Sequence, residues 1–342
     1  MKIAEILHAW SSILKGRPPS LSIEVTKECP LRCPGCYAYD QAHLGGEVTL
    51  RQLSDSKGSE LVTGVLELCE RLKPLHVSLV GGDPLVRYRE MEQLVPQLID
   101  RGMHVQLVTS AFREIPPSFK TLRNLNIVVS IDGLQPEHDE RRKPATYDRI
   151  LKSIAGQQVT VHCTVTSQML RRPRYLQDFA DFWAANQDVK RLWFSIFTPQ
   201  IGADHEEILS PADRRAAVNE FFEIRRRHTK LDMPEGMIKE FLHPPQSPKD
   251  CIFALTTQTL SADFRTEITP CQFGGEPDCS QCGCIASMGL AAIGTHKLGG
   301  LISVGSIFKA SHKIGTIAAK LPGNGVAAPV DRARANSLVM PQ

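Results

Sequence analysis

The stretch "LSIEVTKECPLRCPGC", residues 21–36, decides the fold prediction. It starts with the residue pattern of a β-strand and ends in three cysteines, Cys29, Cys33 and Cys36. A structural zinc site needs a fourth ligand, for which His43 is the nearby candidate. Three thiolates on one loop instead suit a 4Fe–4S cluster in which one iron stays open to a small ligand. The triplet therefore predicts a metal site directly after a first strand.

Strand-like and helix-like patterns alternate through the first 230 residues. We predict strands at 21–26, 75–80, 103–110, 126–132, 158–167 and 191–197. We predict helices at 50–72, 88–101, 116–122, 146–155, 174–186 and 210–228. Six strand–helix pairs indicate an α/β fold with a parallel sheet, too short to close an eight-stranded barrel. The prediction is a partial (βα)6 TIM-like barrel with ligands at the carboxyl ends of its strands.

The chain divides into four predicted regions. Residues 1–20 have apolar residues at helical spacing and predict an amphipathic helix that packs on the domain body. Residues 21–230 are predicted to form the barrel, the proline-rich "HPPQSPKD" at 243–250 marks a boundary, and a cysteine-rich extension is predicted at 245–300. Residues 320–342 are rich in Gly, Pro, Ala and Arg without apolar periodicity, which predicts a loosely ordered tail.

Composition narrows the class of protein. The 342 residues carry a net charge of +3 with no long basic run, so nucleic-acid binding is not expected. No segment has the ~18 uninterrupted apolar residues of a membrane span. Ten cysteines without a signal peptide indicate a reducing compartment, and we expect a cytoplasmic protein whose cysteines bind metal or lie in the core. Cys69 and Cys163 stand apart from the others and are expected in the core.

Three more motifs follow the predicted strands in order: "GGDP" at 81–84, "TS" at 109–110 and "SIDG" at 130–133. Gly81 and Gly82 permit close backbone approach, so carbonyl groups there can accept from an ammonium group. With the cysteine triplet, these motifs resemble those of the radical S-adenosylmethionine (radical SAM) superfamily over about residues 20–200. One departure is Gly35, since many members have an aromatic residue at that position, whereas here Tyr37 follows the third cysteine.

The resemblance implies cofactors and binding residues. Cys29, Cys33 and Cys36 would hold a 4Fe–4S cluster, and the cluster would bind S-adenosylmethionine. The resemblance assigns cofactor binding to the following residues: Tyr37, Gly81, Gly82, Asp83, Pro84, Thr109, Ser110, Ser130 and Asp132. The implied reaction is reductive cleavage of S-adenosylmethionine to a 5′-deoxyadenosyl radical that removes a hydrogen atom from a substrate. Flavodoxin or ferredoxin would donate the electron.

A second group of cysteines lies near the C-terminus: Cys251, Cys271, Cys279, Cys282 and Cys284. Between the first two we predict a β-hairpin, "LTTQTL" and "TEIT" around "SADFR". This segment resembles the SPASM or twitch extension, which implies one auxiliary 4Fe–4S cluster held by Cys251, Cys271, Cys279 and either Cys282 or Cys284. Four of the five could instead hold a structural zinc ion.

The substrate class stays open between a small metabolite and a peptide. Only 28 residues precede Cys29, which we expect to be too few for a leader-binding domain. This favours a metabolite, or a peptide presented by a separate partner as in a ribosomal-peptide maturase. A non-catalytic iron–sulfur or zinc protein on the same fold is the alternative. We expect His138, Arg141 and Arg142 to be solvated loop charges.

Overall fold

A computed structural model describes residues 3–45, 48–144 and 146–320. Within these residues a seven-stranded, all-parallel sheet has the order β6-β5-β4-β3-β2-β1-β7. Its strands are β1 Ser20–Glu24, β2 His76–Val80, β3 His104–Thr109, β4 Leu125–Ser130, β5 Val159–Val165, β6 Val189–Ile196 and β7 Thr257–Leu260. The antiparallel strands β8, Lys297–Leu298, and β9, Ile302–Ser303, form a separate pair.

Helices cover one face of the sheet and continue into the C-terminal region. Their bounds are α1 Ile3–Leu14, α2 Gly58–Leu72, α3 Tyr88–Asp100, α4 Glu137–Arg141, α5 Tyr147–Ile154, α6 Ser167–Leu170, α7 Tyr175–Ala185, α8 Pro211–Arg227, α9 Glu235–Glu240, α10 Ile252–Thr256, α11 Ile285–Thr295 and α12 Val304–Ala319. Short 3-10 helices lie at Tyr37–Tyr39, Leu50–Gln52, Pro84–Arg87, Pro117–Thr121 and Cys279–Gln281. None of the helices in the described ranges is both long enough and apolar enough to cross a membrane.

The two faces of the sheet differ because side chains alternate along each strand. Apolar strand residues such as Leu21, Leu79 and Val129 pack into one core with the helices. On the opposite face, polar side chains join neighbouring strands: Gln106 donates to Ser78, and Thr160 donates to Asn126 at 2.8 Å. The sheet thus has an apolar helix-covered side and a polar inner side. The six predicted strands and the open, partial-barrel architecture are confirmed.

The sheet has a seventh strand that we did not predict. The sequence pattern predicts residues 255–260 as one arm of a hairpin, but residues 252–256 are helical and β7 pairs in parallel with β1. The expected return arm makes one antiparallel bridge, between Leu260 and Glu267. The hairpin prediction is therefore partly wrong, since its first arm completes the main sheet and ties the cysteine-rich region to the barrel.

The predicted helix at 50–72 begins too early. Residues 53–57 are not helical, and α2 starts at Gly58. The cause is Asp55, whose carboxylate accepts hydrogen bonds from Thr26 and Arg87, both at 2.8 Å. These contacts hold the segment in an extended path beside the end of β1.

Two helices beyond the cysteines, α11 and α12, were not predicted. Helix α12 packs on α1, where the rings of Trp10 and Phe308 are 4.9 Å apart and a Cβ on Gly315 would lie 1.9 Å from the carbonyl oxygen of Ile13. The N-terminal helix therefore packs on the body of the protein as expected. The predicted tail at 320–342 lies outside the described residues from 321 onward.

Candidate functional site

The first cysteine loop leaves the carboxyl end of β1, at the edge of the sheet where ligands bind in parallel α/β folds. Cys29, Cys33 and Cys36 are all partly buried. Burial raises the pKa of the Cys29 thiol to about 12, and the nearby Cys33 and Cys36 contribute in the same direction. Burial likewise raises the pKa of Cys33 and of Cys36. The three thiols are therefore protonated at neutral pH until a cation binds.

The glycine motif after β2 holds this loop by backbone contacts. The amide of Gly82 donates to the carbonyl of Thr26 at 2.8 Å, and the amide of Asp83 donates to the carbonyl of Glu28 at 2.9 Å. A Cβ on Gly82 would lie 2.1 Å from the Glu28 carbonyl oxygen, which no side chain can do. Gly82 is therefore required by the approach of the cysteine loop itself, in addition to any ligand contact.

The Asp83 carboxylate joins the ends of β2 and β3. It accepts from the hydroxyl of Thr109 at 2.7 Å and from the amide and hydroxyl of Ser110. It also accepts from the amide of Leu85, where Pro84 begins a short 3-10 helix. The structure thus brings Asp83, Pro84, Thr109 and Ser110 together. Both side-chain hydroxyls of the "TS" motif are used to fix the carboxylate.

Asp132, after β4, lies in a buried ion-pair cluster. Its carboxylate accepts from Arg141, from Nε of Arg142 at 2.7 Å and from the amide of Thr164 at 2.9 Å. Burial alone would raise the pKa of this carboxyl, but Arg142 and Arg141 outweigh it and hold the pKa well below its usual range. Ser130, the last residue of β4, remains partly exposed beside this cluster.

The expectation that His138, Arg141 and Arg142 are solvated loop charges is wrong. The Arg141 side chain is 14% exposed because Glu207 accepts from its Nε at 2.6 Å and from Nη2 at 2.8 Å. His138 is fully buried and contacts the amide of Asp132 and the hydroxyl of Thr146. The fold uses the arginines to neutralise Asp132 near Cys33, whose pKa is raised by burial and lowered in part by Arg142.

The glycine at position 35, where an aromatic residue is common in the radical SAM superfamily, is explained by the local geometry. Its φ is +59°, and a Cβ there would lie 2.7 Å from the Phe197 ring and 2.9 Å from a Glu207 carboxylate oxygen. An aromatic side chain cannot fit at this position, and the ring next to it is that of Phe197. Tyr37 packs away from this point, with its ring 5.3 Å from that of Phe273.

His43 connects the two cysteine regions. Its Nε2 lies 2.8 Å from a Glu24 carboxylate oxygen, and its Nδ1 lies 2.8 Å from the carbonyl oxygen of Phe273, two residues after Cys271. Burial opposes protonation of the ring, but the hydrogen bond and charge of Glu24 raise its pKa above the ordinary value. Because both partners are acceptors, the ring donates at both nitrogens. His43 has no nitrogen left for zinc, which removes it as a fourth ligand of the first cysteine loop.

The C-terminal cysteines share one cavity. Its lining includes Cys251, Cys271, Cys279, Cys282 and Cys284. Burial raises the pKa of Cys271 to about 12 and that of Cys279 to about 11, and it raises the pKa of Cys282 and Cys284 as well. The five thiols that the sequence placed in one group are thus brought together around one space.

The cysteine-rich segment is fixed along the outer edge of β6. Ile196 donates its amide to the carbonyl of Gly283 at 2.9 Å, and the Gly283 amide donates to the hydroxyl of Thr198 at 2.9 Å. Arg214 of α8 donates to the carbonyls of Gln281 and Cys282. The segment therefore runs from β7 at one edge of the sheet, past the first cysteine loop, to β6 at the other edge.

The donor chemistry fits iron–sulfur clusters. The eight candidate cysteines form two groups, three on the first cysteine loop and five around one cavity, and thiolates are the usual ligands of such clusters. In residues 3–45, 48–144 and 146–320, no three His, Cys, Asp or Glu side chains converge to hold a single metal ion. A cluster does not require such convergence, because each thiolate binds a different iron.

Four residues of the site were not identified from the sequence: Glu24, Glu207, Arg214 and Ser261. Glu24 and Ser261 are joined by a 2.8 Å hydrogen bond across 237 residues of sequence. Glu24 could have been identified from the sequence, because a carboxylate within a buried strand needs a hydrogen-bond partner. Nothing in the local sequence marks Glu207 or Arg214, whose roles depend on distant partners.

Comparison with known proteins agrees with this geometry. Residues 23–166 match the family model described as the Radical SAM superfamily. A PqqA peptide cyclase of Rhizobium meliloti (strain 1021) is 29% identical over 127 residues, which cover 36% of this chain and 32% of that protein. The chain thus spans about a third of the length of this curated relative.

Solved structures share the fold at low sequence identity. Streptococcus suis SuiB bound to its precursor peptide SuiA has a TM-score of 0.53 and 15% identity, covering 92% of this chain and 70% of that chain. Native anSMEcpe with bound S-adenosylmethionine has a TM-score of 0.54 and 17% identity, covering 74% of this chain and 75% of that chain. The cysteine triplet at the end of β1 lies within residues 23–166, the part of the chain that matches the radical SAM superfamily.

Proposed function

We propose that this protein is a radical SAM enzyme that modifies a peptide and carries one auxiliary 4Fe–4S cluster. The observation that carries the proposal is the placement of Cys29, Cys33 and Cys36 at the carboxyl edge of the sheet, against the "GGDP" backbone. When bound, the cluster and S-adenosylmethionine supply a 5′-deoxyadenosyl radical for hydrogen abstraction. A flavodoxin or ferredoxin is the proposed electron donor.

The chain's own residues would bind and orient the cofactors. The three thiols must lose protons to bind iron, and their raised pKa means that binding releases protons at neutral pH. Gly81 and Gly82 present backbone groups for the methionine part of S-adenosylmethionine, while Asp83 contributes a buried negative charge. Ser130, the partly exposed last residue of β4, would approach the ribose. Tyr37 lies between the two cysteine regions.

Asp132 has a different proposed role from the one expected. Its carboxylate already accepts from two arginines and a backbone amide. We therefore assign it to holding Arg141 and Arg142 in place beside Cys33, while the arginines supply positive charge near the cysteine loop. Hydroxyl binding by Asp132 would require these contacts to break.

The auxiliary cluster is proposed for the cavity lined by the five C-terminal cysteines. Cys251, Cys271 and Cys279 are the proposed ligands, with either Cys282 or Cys284 as the fourth. The sulfur of Cys251 lies 3.2 Å from the Ser287 hydroxyl, and Gln272 donates to the sulfur of Cys284 at 3.3 Å. These hydrogen bonds to cysteine sulfurs would influence the reduction potential of a bound cluster.

The relatives favour a peptide over a small metabolite. The curated relative is described as a peptide cyclase, and SuiB was solved with a precursor peptide. The polar inner face of the sheet, with hydrogen-bonded side chains such as Gln106 and Asn126, would accept a substrate with polar backbone groups. We therefore propose a peptide substrate. The experiment below also has a result that would favour a small metabolite instead.

The experiment is anaerobic reconstitution with iron and sulfide, reduction with dithionite and measurement of 5′-deoxyadenosine. We expect product from the wild type and none from Cys33→Ala, and about eight irons per chain for two 4Fe–4S clusters. Equal product from both proteins would refute the enzyme proposal and leave a non-catalytic cluster protein. About four irons with one zinc would refute the auxiliary cluster.

Substrate class is tested by adding cell extract fractions to the same assay. A peptide fraction should stimulate formation of 5′-deoxyadenosine, and prior digestion of that fraction with proteinase K should abolish the stimulation. Stimulation that survives digestion would favour a metabolite and contradict the peptide proposal.

A further inference from the structure

We propose that a cavity between α1, α2, α12 and β7 binds an acidic polypeptide segment that carries an apolar side chain. The cavity has a volume of about 460 Å³, within the range of ~300–1,000 Å³ for ligand pockets. None of the ten cysteines lines it. The inference therefore goes beyond the cofactor chemistry and does not depend on it.

The cavity wall carries an excess of positive charge. Arg17, Arg71, Arg265 and Lys320 line it, against the single carboxylate of Glu267. Arginine forms paired hydrogen bonds with carboxylates, and several cations around one concave surface attract an anionic ligand before contact. A segment with two or more carboxylates would match this wall.

Arg17 supplies an independent observation. In the part of the chain that the structure describes, its Nε is buried without a hydrogen-bond partner. A buried donor that has lost its water and gained no acceptor is unfavourable, and a carboxylate oxygen is the acceptor that restores the bond with a charge. Arg17 lines the cavity but its unpaired Nε has no accessible surface, so the guanidinium must turn toward the cavity for a bound carboxylate to satisfy this nitrogen.

The rest of the wall is apolar. Ile13 and Leu260 are buried, and Phe264 lines the same space. An aliphatic side chain of the partner can enter the cavity while its carboxylates meet the cations.

The charge of the chain segment that contains α12 also favours an acidic partner. Residues 285–320, which contain α11 and α12, include four lysines and no Asp or Glu. A membrane surface is flat at this scale, so a concave site fits a polypeptide better. The chain's own residues 321–342 match less well, since Asp331 is outnumbered by Arg332 and Arg334.

The test uses a hexapeptide of alternating glutamate and leucine, labelled with fluorescein at its N-terminus and amidated at its C-terminus, with the 342-residue protein. Fluorescence anisotropy should show saturable binding that the double variant Arg17→Gln/Arg71→Gln weakens by about tenfold. The matched control, Lys190→Gln/Arg123→Gln, removes the same charge from exposed positions elsewhere and should bind as the wild type. A peptide with lysine in place of glutamate should not bind.

A second variant, Thr316→Trp, fills the cavity without changing its charge and should also abolish binding. Circular dichroism identifies variants that do not fold, and either folded variant is sufficient for the test. The proposal is overturned if the glutamate peptide shows no saturable binding up to about 1 mM, or if either variant folds and binds as the wild type. It is also overturned if vesicles of phosphatidylglycerol bind the protein while the peptide does not.

Discussion

Replacement of Asp132 by asparagine should lower the free energy of unfolding by about 3 kcal/mol. The carboxylate is fully buried, and its partners Arg141 and Arg142 are only 14% and 15% exposed, so the charges are poorly screened. Loss of one partner of a buried ion pair typically costs about 3–5 kcal/mol. Because asparagine keeps one acceptor for the amide of Thr164, we expect the loss of unfolding free energy to lie at the lower end of this range.

The assay is urea unfolding of the cluster-free protein followed by tryptophan fluorescence. The buried Trp183 reports on the barrel core. For the 320 residues up to Lys320, an unfolding entropy of ~2.1 cal/mol/K per residue converts about 3 kcal/mol into a melting temperature lower by about 4.5 °C. The matched control is Glu137→Gln, which breaks an exposed ion pair with Arg172 and should cost less than about 0.5 kcal/mol.

The pH dependence gives a second check. The pKa of Asp132 is held below its unfolded value, so its stabilisation is present above about pH 4 and is lost as the pH falls further. The difference between wild type and Asp132→Asn should therefore be constant from about pH 5 to 8 and shrink in acid. A loss no larger than that of Glu137→Gln at pH 7 would refute the buried ion-pair account.

Two other predictions concern the cysteine loop and its link to the second cysteine region. Gly82→Ala would place a Cβ 2.1 Å from the Glu28 carbonyl oxygen, so the loop must shift and iron bound per chain after reconstitution should fall. Gly236→Ala, where the nearest atom is 3.8 Å away, is the control, and equal iron loading in both variants would contradict the reasoning. Glu24→Gln should destabilise the protein by about 1.5–3 kcal/mol at pH 6, because it removes the charged partner of His43. The pKa of His43 is raised, so this stabilisation is complete below about pH 6.5 and disappears as the pH rises through the folded pKa. Urea midpoints should thus differ more at pH 6 than at pH 9, and an equal difference at both would count against a protonated His43.

The fold was predictable from sequence where local patterns carry the information. Apolar runs such as 75–80 and 126–132 mark strands buried on a helix-covered face, and Ser210 with Pro211 marks the start of α8. Motifs that directly follow strands could be placed at the same edge of the sheet. Strand β7 was missed because four residues of β pattern look the same in a hairpin and in a parallel sheet.

The site was less predictable because its polar groups are paired over long sequence distances. Asp132 could be located, but its use depends on Arg141, and Arg141 is buried only because Glu207 reaches it from 66 residues away. Gly35 departs from the family pattern because of Phe197, which directly follows β6 and is distant in sequence. Such pairings arise from the tertiary fold, and single-residue propensity does not encode them.

The pairing of β1 with β7 also constrains how the protein is made. Ser20 lies opposite Thr257 and Ile23 opposite Leu260, so the first strand of the sheet is completed by residues synthesised some 237 positions later. Contacts of such high sequence separation slow folding, because a long loop must close before they form. On the ribosome, the outer edge of β1 therefore stays unpaired until most of the chain has emerged. An unpaired strand edge is a site of aggregation, so expression at lower temperature or with chaperones should raise the yield of folded protein.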